Sequence, residues 1–426
     1  MKTNAFWRGA LLFSLVSTVV AARSETLSRE EVISTALHAN ASVKAARARW
    51  EMMKERVPQA QAWDDPMVGV DVERMGTTRF DRYTDTESMV SQSIPLSGKN
   101  LSRARTAVAE ARAAYEEYRR AELDVVTRAK IAYSKLATAD TQLEINDRNV
   151  GLLRQFADIS RVKYEAGTQT QSDVLIAQTD LLRLSETRAN LERDQSEQQS
   201  MLNVLMNRPA QAPLGQPRPL TFRRRDFSLA ELQAKALTQR PEVTSAEEKI
   251  QAERGRLQLA HRAWFPDPQV RIEARQFEDS SRAFNEYDTG VFFSIPWGNF
   301  RKYSAGVREA KKSLENAESQ AEAARTESAG LIRDQLKKIE TAADNYELFR
   351  GKIMPLAEQA TQATRAGYES DKSGFLELIT TQRTFREVES TAANYLAEYE
   401  IAVAELESII GHNSSRPSRS EKGLSK

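Results

Sequence analysis

The sequence predicts a mainly α-helical chain with transmembrane β-structure, in which long coiled-coil helices and four short strands are arranged as a tandem repeat. Three observations predict it. One unit of about 200 residues is written twice along the 426-residue chain. Each copy carries a long stretch of coiled-coil periodicity. Each copy also carries two short segments that alternate between apolar and polar residues.

Residues 1–22 read as a secretory signal peptide. Lys2 and Arg8 supply positive charge, Ala10 to Val20 form an apolar run, and Val20-Ala21-Ala22 place small residues before a cut near Arg23. Such a run has the length of a signal core and is too short to cross a bilayer as a helix. The first repeat then spans 23–207, a proline-rich linker 208–226 and the second repeat 227–411. The Ser/Arg/Lys-rich stretch 412–426 reads as a disordered tail.

The order of parts is the same in both halves. Leu27-Ser28, Glu31, Ala36-Leu37 and Val43 are answered by Phe227-Ser228, Glu231, Ala236-Leu237 and Val243. Ser28 with Glu31, and Ser228 with Glu231, have capping-box spacing, so a helix begins at each. The first runs to about Ala62, with a break near Asn40. Strands follow in Val68–Glu73 and around Glu87–Ile94, then in Val270–Arg275 and Tyr287–Ile295 of the second copy. The segment around Glu87–Ile94 alternates poorly and is assigned mainly by analogy with its repeat; the alternation of the others, with charge on one face, fits a wall between lipid and lumen. It fits equally a pair of solvent-exposed hairpins with one side on a core.

From Pro95 to Pro209 there is no proline, and apolar or small residues recur on a heptad through Leu101, Val108, Tyr115, Ala129, Leu136, Leu143 and Val150. A helix over Lys99–Glu165 would be roughly 100 Å long at 1.5 Å per residue. Glu122 and Asn146 interrupt its seam. The second copy runs from Arg301 to Glu369, and Pro355 falls where the first has Gly151, which predicts a shared loosening of both helices. Polar turns end the long helices at Ala166–Gln171, with Ser172 as the next N-cap, and at Ser370–Gly374; a shorter helix follows each.

Composition excludes several classes. Lys+Arg total 61 against 60 Asp+Glu, which leaves no basic face for nucleic acid. There is no cysteine, hence no disulfide, thiolate metal site or lipidated cysteine, and only three histidines, well separated. No enzyme constellation, cofactor motif or metal-ligand cluster is visible. The mean hydropathy is −0.58, so a membrane span must be a β-barrel. Four strands cannot close one, because barrels begin near eight and open edges are not tolerated in lipid. Three chains would supply twelve strands as a homotrimer. The charged outer positions Glu110, Arg112, Glu116, Glu117, Arg119 and Arg120 suit a water-facing helical wall.

At this point the sequence resembles the TolC family of outer-membrane efflux proteins. The tandem repeat carries the resemblance, with Tyr164-Glu165-Ala166-Gly167, Asp173-Val174-Leu175 and Ala177-Gln178 in one copy, and Tyr368 with Glu377-Leu378-Ile379 in the other. The junction Ser91-Gln92-Ser93-Ile94-Pro95-Leu96-Ser97-Gly98-Lys99 is similar to that of the heavy-metal-cation, CzcC-like branch. The resemblance implies a homotrimer in the outer membrane with a periplasmic extension. Its implied partners are a periplasmic adaptor and a proton-driven, RND-type inner-membrane pump.

It also implies a gate at the periplasmic turns. Glu377 matches the family's gate aspartate, Tyr368 its gate tyrosine, and Asp173 is the equivalent acid in the first copy. Thr380 and Ser373 stand where the family's namesake has an aspartate and an arginine. Tyr164, Arg365 and Lys372 are further gate candidates, and Gly167, Thr168, Gln169, Ser373 and Gly374 are candidate adaptor contacts. Each has a plainer reading: Glu377 and Asp173 as first-turn acids on a helix dipole, the tyrosines as packing, Arg365 and Lys372 as solvated surface, and the glycines as turn formers. A periplasmic adaptor and a structural coiled coil remain rivals, but an adaptor would have a single hairpin flanked by split β-rich domains.

Overall fold

A computed structural model describes residues 26–73, 85–277, 281 and 283–411. The expected signal peptide and tail lie outside the described residues. Among the described residues the chain runs α1 (Arg29–Ala39), α2 (Ala41–Gln61), β1 (Met67–Glu73), β2 (Asp85–Ser93), α3 (Lys99–Glu165) and α4 (Gln171–Leu205). It then repeats itself as α5 (Leu229–Gln239), α6 (Pro241–Arg262), β3 (Pro268–Phe277), β4 (Glu286–Phe293), α7 (Phe300–Leu348), α8 (Met354–Glu369) and α9 (Phe375–Ile409).

The start of each repeat is fixed by local chemistry, but not identically. Ser28 Oγ accepts from the Glu31 N–H at 3.2 Å, as its spacing predicts. Ser228 holds the same N-cap position with no side-chain cap bond, so the second predicted capping box does not form. The break at Asn40 is a real helix boundary: its side chain accepts from Ser42 N at 2.9 Å and caps α2. The second copy solves the same break differently, with Pro241 in the first turn of α6 and Arg240 donating to Ser328 Oγ at 2.8 Å.

The four strands form one antiparallel meander, β1-β2-β3-β4, so among the described residues β1 and β4 are free edges. Register pairs Val68 with Val90, Val90 with Ile272, and Ile272 with Thr289. Directly paired residues share a face. One face therefore carries Val68, Val70, Val72, Val90, Val270, Ile272, Val291 and Phe293, with only neutral residues between them. Every charged strand residue lies on the other: Asp71, Glu73, Asp85, Glu87, Arg271, Glu273, Arg275, Glu286 and Asp288. Among the described residues the strands pack against one another and no helix covers either face. Val68 is 72% exposed and Val291 55%. Among the described residues neither face of the sheet rests on a core, unlike a hairpin pair with one side packed.

The helix α3 runs unbroken for 67 residues, as the heptad pattern predicts. Gly151 does not loosen it. The second copy departs from α-geometry at Phe349–Ile353, a π-helical turn just before Pro355. Glycine keeps its N–H and only adds flexibility. Proline lacks the donor and crowds the preceding turn, so only the proline copy deforms. Along one stretch of the long helices α2 packs on α3, α3 on α6 and α6 on α7; along the other, α4 packs on α3, α3 on α9 and α9 on α7 and α8. Each level is four helices wide with uncovered helices at its flanks.

The charges expected to face water on α3 do so at Arg112 and Arg120, which stay exposed, and several also join the helix to its neighbours. Glu117 lies within 3.4 Å of Arg49 in α2 and 3.6 Å of Lys249 in α6, and Arg120 is 3.3 Å from Glu242. Two apolar clusters stand beneath the short helices: Val32, Ile33 and Ala36 of α1 against Val125, Leu136 and Leu202, and Leu232 and Ala236 of α5 against Ile332, Ile339 and Leu406. The linker is tied down by two tyrosines. Tyr133 donates to Leu27 O at 2.9 Å and accepts from Arg218 N, while Tyr399 donates to Arg223 O at 2.8 Å and accepts from Arg225 N. Arg224 and Arg225 pair with Asp344, Glu347 and Glu407, so they fasten the linker rather than stand solvated.

Candidate functional site

The candidate site is the end of the molecule where both long hairpins turn, farthest along α3 from the sheet. In the first turn Gly167 takes the left-handed conformation, φ +72°, which lets the Thr168 N–H reach back to Lys163 O at 2.9 Å. The helix α4 is capped by Thr170, not by the predicted Ser172. Thr170 donates its hydroxyl to Asp173 at 3.0 Å. Asp173 is thus a half-buried first-turn acid held by its own cap.

The second turn is built from different residues. Asp371, not Gly374, takes the left-handed conformation, φ +56°. Gly374 is extended, φ −78° and ψ 157°, and a side chain there would meet open space, so the turn does not require a glycine at that position. Gly367 is the glycine that space demands, because a Cβ on it would lie 2.4 Å from Ser373 Oγ.

Tyr368 is the centre of the tip. It is 1% exposed and packs on Phe375 with ring centroids 5.8 Å apart. Its hydroxyl donates to Gln169 Oε1 at 3.0 Å, across to the other hairpin's turn. Burial pushes the hydroxyl above the usual phenol range, so it stays a donor. Lys163 lies 4.5 Å above the ring, donates to Tyr368 O at 3.2 Å and pairs with Asp371. The surrounding apolar core is Leu153, Phe156, Ala177, Leu184, Leu378 and Ile379.

Deeper along the helices lies a second tie between hairpins. Arg383 of α9 grips the buried Asp180 of α4 through Nε at 2.8 Å and through Nη2. Arg183 and Arg386 stand close by, and burial lowers the Arg386 guanidinium below its usual range. Gln382 donates to Asn149 of α3 at 2.9 Å, and Arg148 to Glu389 at 3.0 Å. Residues from both hairpins therefore meet at every level of the tip.

Of the sequence-predicted site residues, Tyr368, Gln169 and Asp173 are brought together here. Tyr164 is 44% exposed, on the outside. Glu377 is exposed on the first turn of α9 and has no ion-pair partner among the described residues. Arg365 pairs with Glu369 at 3.0 Å, and Lys372, Thr168 and Gly167 are exposed. Lys163, Asp371, Asp180 and Arg383 were missed. The signal that finds Asp180 and Arg383 is a charge in the heptad seam, two residues after Gln178 and one after Gln382.

Among the described residues no group of His, Asp and Glu side chains stands close enough together to hold a metal ion. Nor is any helix long and apolar enough to cross a membrane among them. Comparison with curated protein sequences returns no match. Among solved structures, the chain is similar to the outer-membrane channel OprN, with TM-score 0.79 and 15% identity over 91% of each chain. It is similar to VceC of Vibrio cholerae, with TM-score 0.78 and 16% identity over 90% of this chain and 96% of that one. A third similar structure is CusC, with TM-score 0.76 and 17% identity over 90% and 92%. At these identities the likeness establishes the fold. The sequence model of the outer membrane efflux protein family matches residues 32–208 and again 232–412, taking in both repeats. The chain belongs to that family, and it is a TolC-type transport protein rather than an enzyme.

Proposed function

We propose that the chain is one third of a passive exit duct. Three copies pool their sheets into a twelve-stranded barrel in the outer membrane, and their helices into a tube reaching through the periplasm. The observation that carries this reading is the sheet: four strands with two free edges, both faces uncovered, and charge confined to one face. Such a sheet satisfies its backbone in lipid only by joining other copies edge to edge. The uncovered flanking helices support the same closure.

In this reading a periplasmic adaptor and a proton-driven, RND-type inner-membrane pump complete a tripartite efflux system. The turn residues Gly167, Thr168, Gln169, Ser373 and Gly374 meet the adaptor. Glu377 faces the axis, where three carboxylates repel one another and favour cations. Tyr368 and Asp173 hold the turns in place, while Tyr164, Arg365 and Lys372 meet a neighbouring copy. Adaptor binding then biases the tip toward an open state. The cargo is a heavy-metal cation such as cobalt, zinc, cadmium or nickel, on the strength of the Ser91–Lys99 junction. A multidrug exit duct of the same fold is the reading to be separated from it.

Two measurements test this. In a planar bilayer, Glu377→Ala raises single-channel conductance; a channel that conducts no better than the parent overturns the gate role. A deletion strain becomes sensitive to the cations and not to dyes, detergents and antibiotics. The reverse pattern removes the metal cargo and leaves the duct.

A further inference from the structure

We infer that the seam between the two hairpins is a binding site for a small monatomic anion of chloride's kind, held by Arg386 of α9 together with the side-chain amides of Asn149 and Gln382. The inference needs only the joined hairpins described above. It stands whatever the chain conducts and however its sheet is closed.

The charges here do not balance. Three guanidiniums, those of Arg183, Arg383 and Arg386, gather about the single carboxylate of Asp180. Asp180 is 5% exposed, and Arg383 takes both of its oxygens, through Nε at 2.8 Å and through Nη2. Arg183 approaches the same carboxylate only to 3.9 Å, with most of its side chain in water. Arg386 is left over. It is half-buried, and among the described residues it makes neither a hydrogen bond nor an ion pair. Burial holds its guanidinium below the usual range, against the attraction of Asp180 and of the exposed Glu387, and Arg383 adds to the lowering. A cation drawn out of water in this way calls for a counter-charge beside it.

Hydrogen-bonding capacity points the same way. A small cavity, about 10 Å³, opens beside these groups; Asn149, Gln382 and Arg386 supply polar lining, and Leu153, Leu184 and Ile379 apolar wall. That is room for one particle of roughly water's size, which excludes polyatomic oxyanions. Gln382 Nε2 donates to Asn149 Oδ1 at 2.9 Å, and Asn149 Nδ2 to Ile145 O at 2.7 Å. An amide nitrogen carries two N–H groups, so each keeps a second, and Arg386 keeps all five of its own. The nearby acceptors are already engaged: the Asp180 oxygens by Arg383, and Asn149 Oδ1 by Gln382. The cavity thus offers donors and positive charge. A water must donate as well as accept, whereas a halide only accepts. A guanidinium is weakly hydrated and suits a weakly hydrated ion against an apolar wall. An anion here ties α9 to α3 as Asp180 ties α9 to α4, so its binding favours the joined hairpins.

Crystals of the full chain soaked in sodium bromide test the site directly, because bromide replaces chloride and scatters anomalously. The expected result is an anomalous peak between Arg386 and the amides of Asn149 and Gln382, absent from Arg386→Gln crystals. Bromide bound elsewhere on the chain with none in the seam overturns the site, and this map of the unaltered chain decides the matter even where the variant does not fold. A peak that persists in Arg386→Gln overturns the part given to Arg386. In solution, the detergent-solubilised chain melts about 2 °C higher in sodium chloride than in sodium gluconate of the same ionic strength, since gluconate is too large for the cavity. Arg386→Gln abolishes the difference. A difference of the same size in the variant is a general salt effect and overturns the stabilising role.

Discussion

The two long hairpins descend from the same unit, yet they differ in how each is held straight. The first has an unbroken α3, and its turn is built on a left-handed glycine. The second breaks at Phe349–Ile353 and turns on a left-handed aspartate, Asp371. Their lengths have been kept: α4 and α9 each have 35 residues. The difference teaches that periodicity and length, which decide whether helices meet along a seam, are what the fold conserves between its halves. Junction chemistry is free to diverge wherever another residue meets the same backbone need.

The largest effect expected from breaking this comparison is at the tie between the hairpins. Asp180→Ala leaves the Arg383 head and the half-buried Arg386 without their carboxylate, and should cost about 3 kcal/mol in urea unfolding of the detergent-solubilised protein. A loss below about 1 kcal/mol would mean that the pair merely decorates the seam. Gly151→Pro copies the second hairpin's breaker into the first. It should cost about 3 kcal/mol and deprotect amides around residue 151 in hydrogen exchange. Unchanged protection would show that α3 tolerates the break that α7 carries.

Smaller effects sharpen the contrast between the turns. Gly167→Ala forces a side chain into the left-handed region and should cost about 1 kcal/mol. Gly374→Ala, at an extended residue with open space, should be neutral. Equal costs at the two positions would undo the assignment of Asp371 as the second turn's left-handed residue. Tyr368→Phe removes the bond to Gln169 but keeps the ring on Phe375, and should lower stability by about 1 kcal/mol.

Much of this was legible in the sequence because long-range order here is periodic. The heptads of α3, the break at Asn40 and the uneven valine faces of β1 and β3 all follow from side-chain spacing, and the structure has them. What was not legible depends on which of several similar groups wins a local competition. Thr170 outcompetes Ser172 for the cap because Asp173 can accept its hydroxyl, and spacing alone does not rank them. Proline deforms its helix where glycine does not, although both read as breakers. The poor alternation of β2 has a physical cause: it is a central strand whose uncharged face is Thr86, Ser88 and Val90 against the valines of β1. At the tip the reading found Tyr368, which buries its ring, and missed Lys163 and Asp371, whose meeting depends on how two distant turns approach.

The central claim is that these sheets close only in company, in the outer membrane. The measurement that tests it most directly is the mass of the protein extracted from outer membranes in detergent, by light scattering with the detergent subtracted. The account expects about three times the chain mass of 48.0 kDa, and insolubility once detergent is removed. A species of one chain mass that stays in solution without detergent would contradict it.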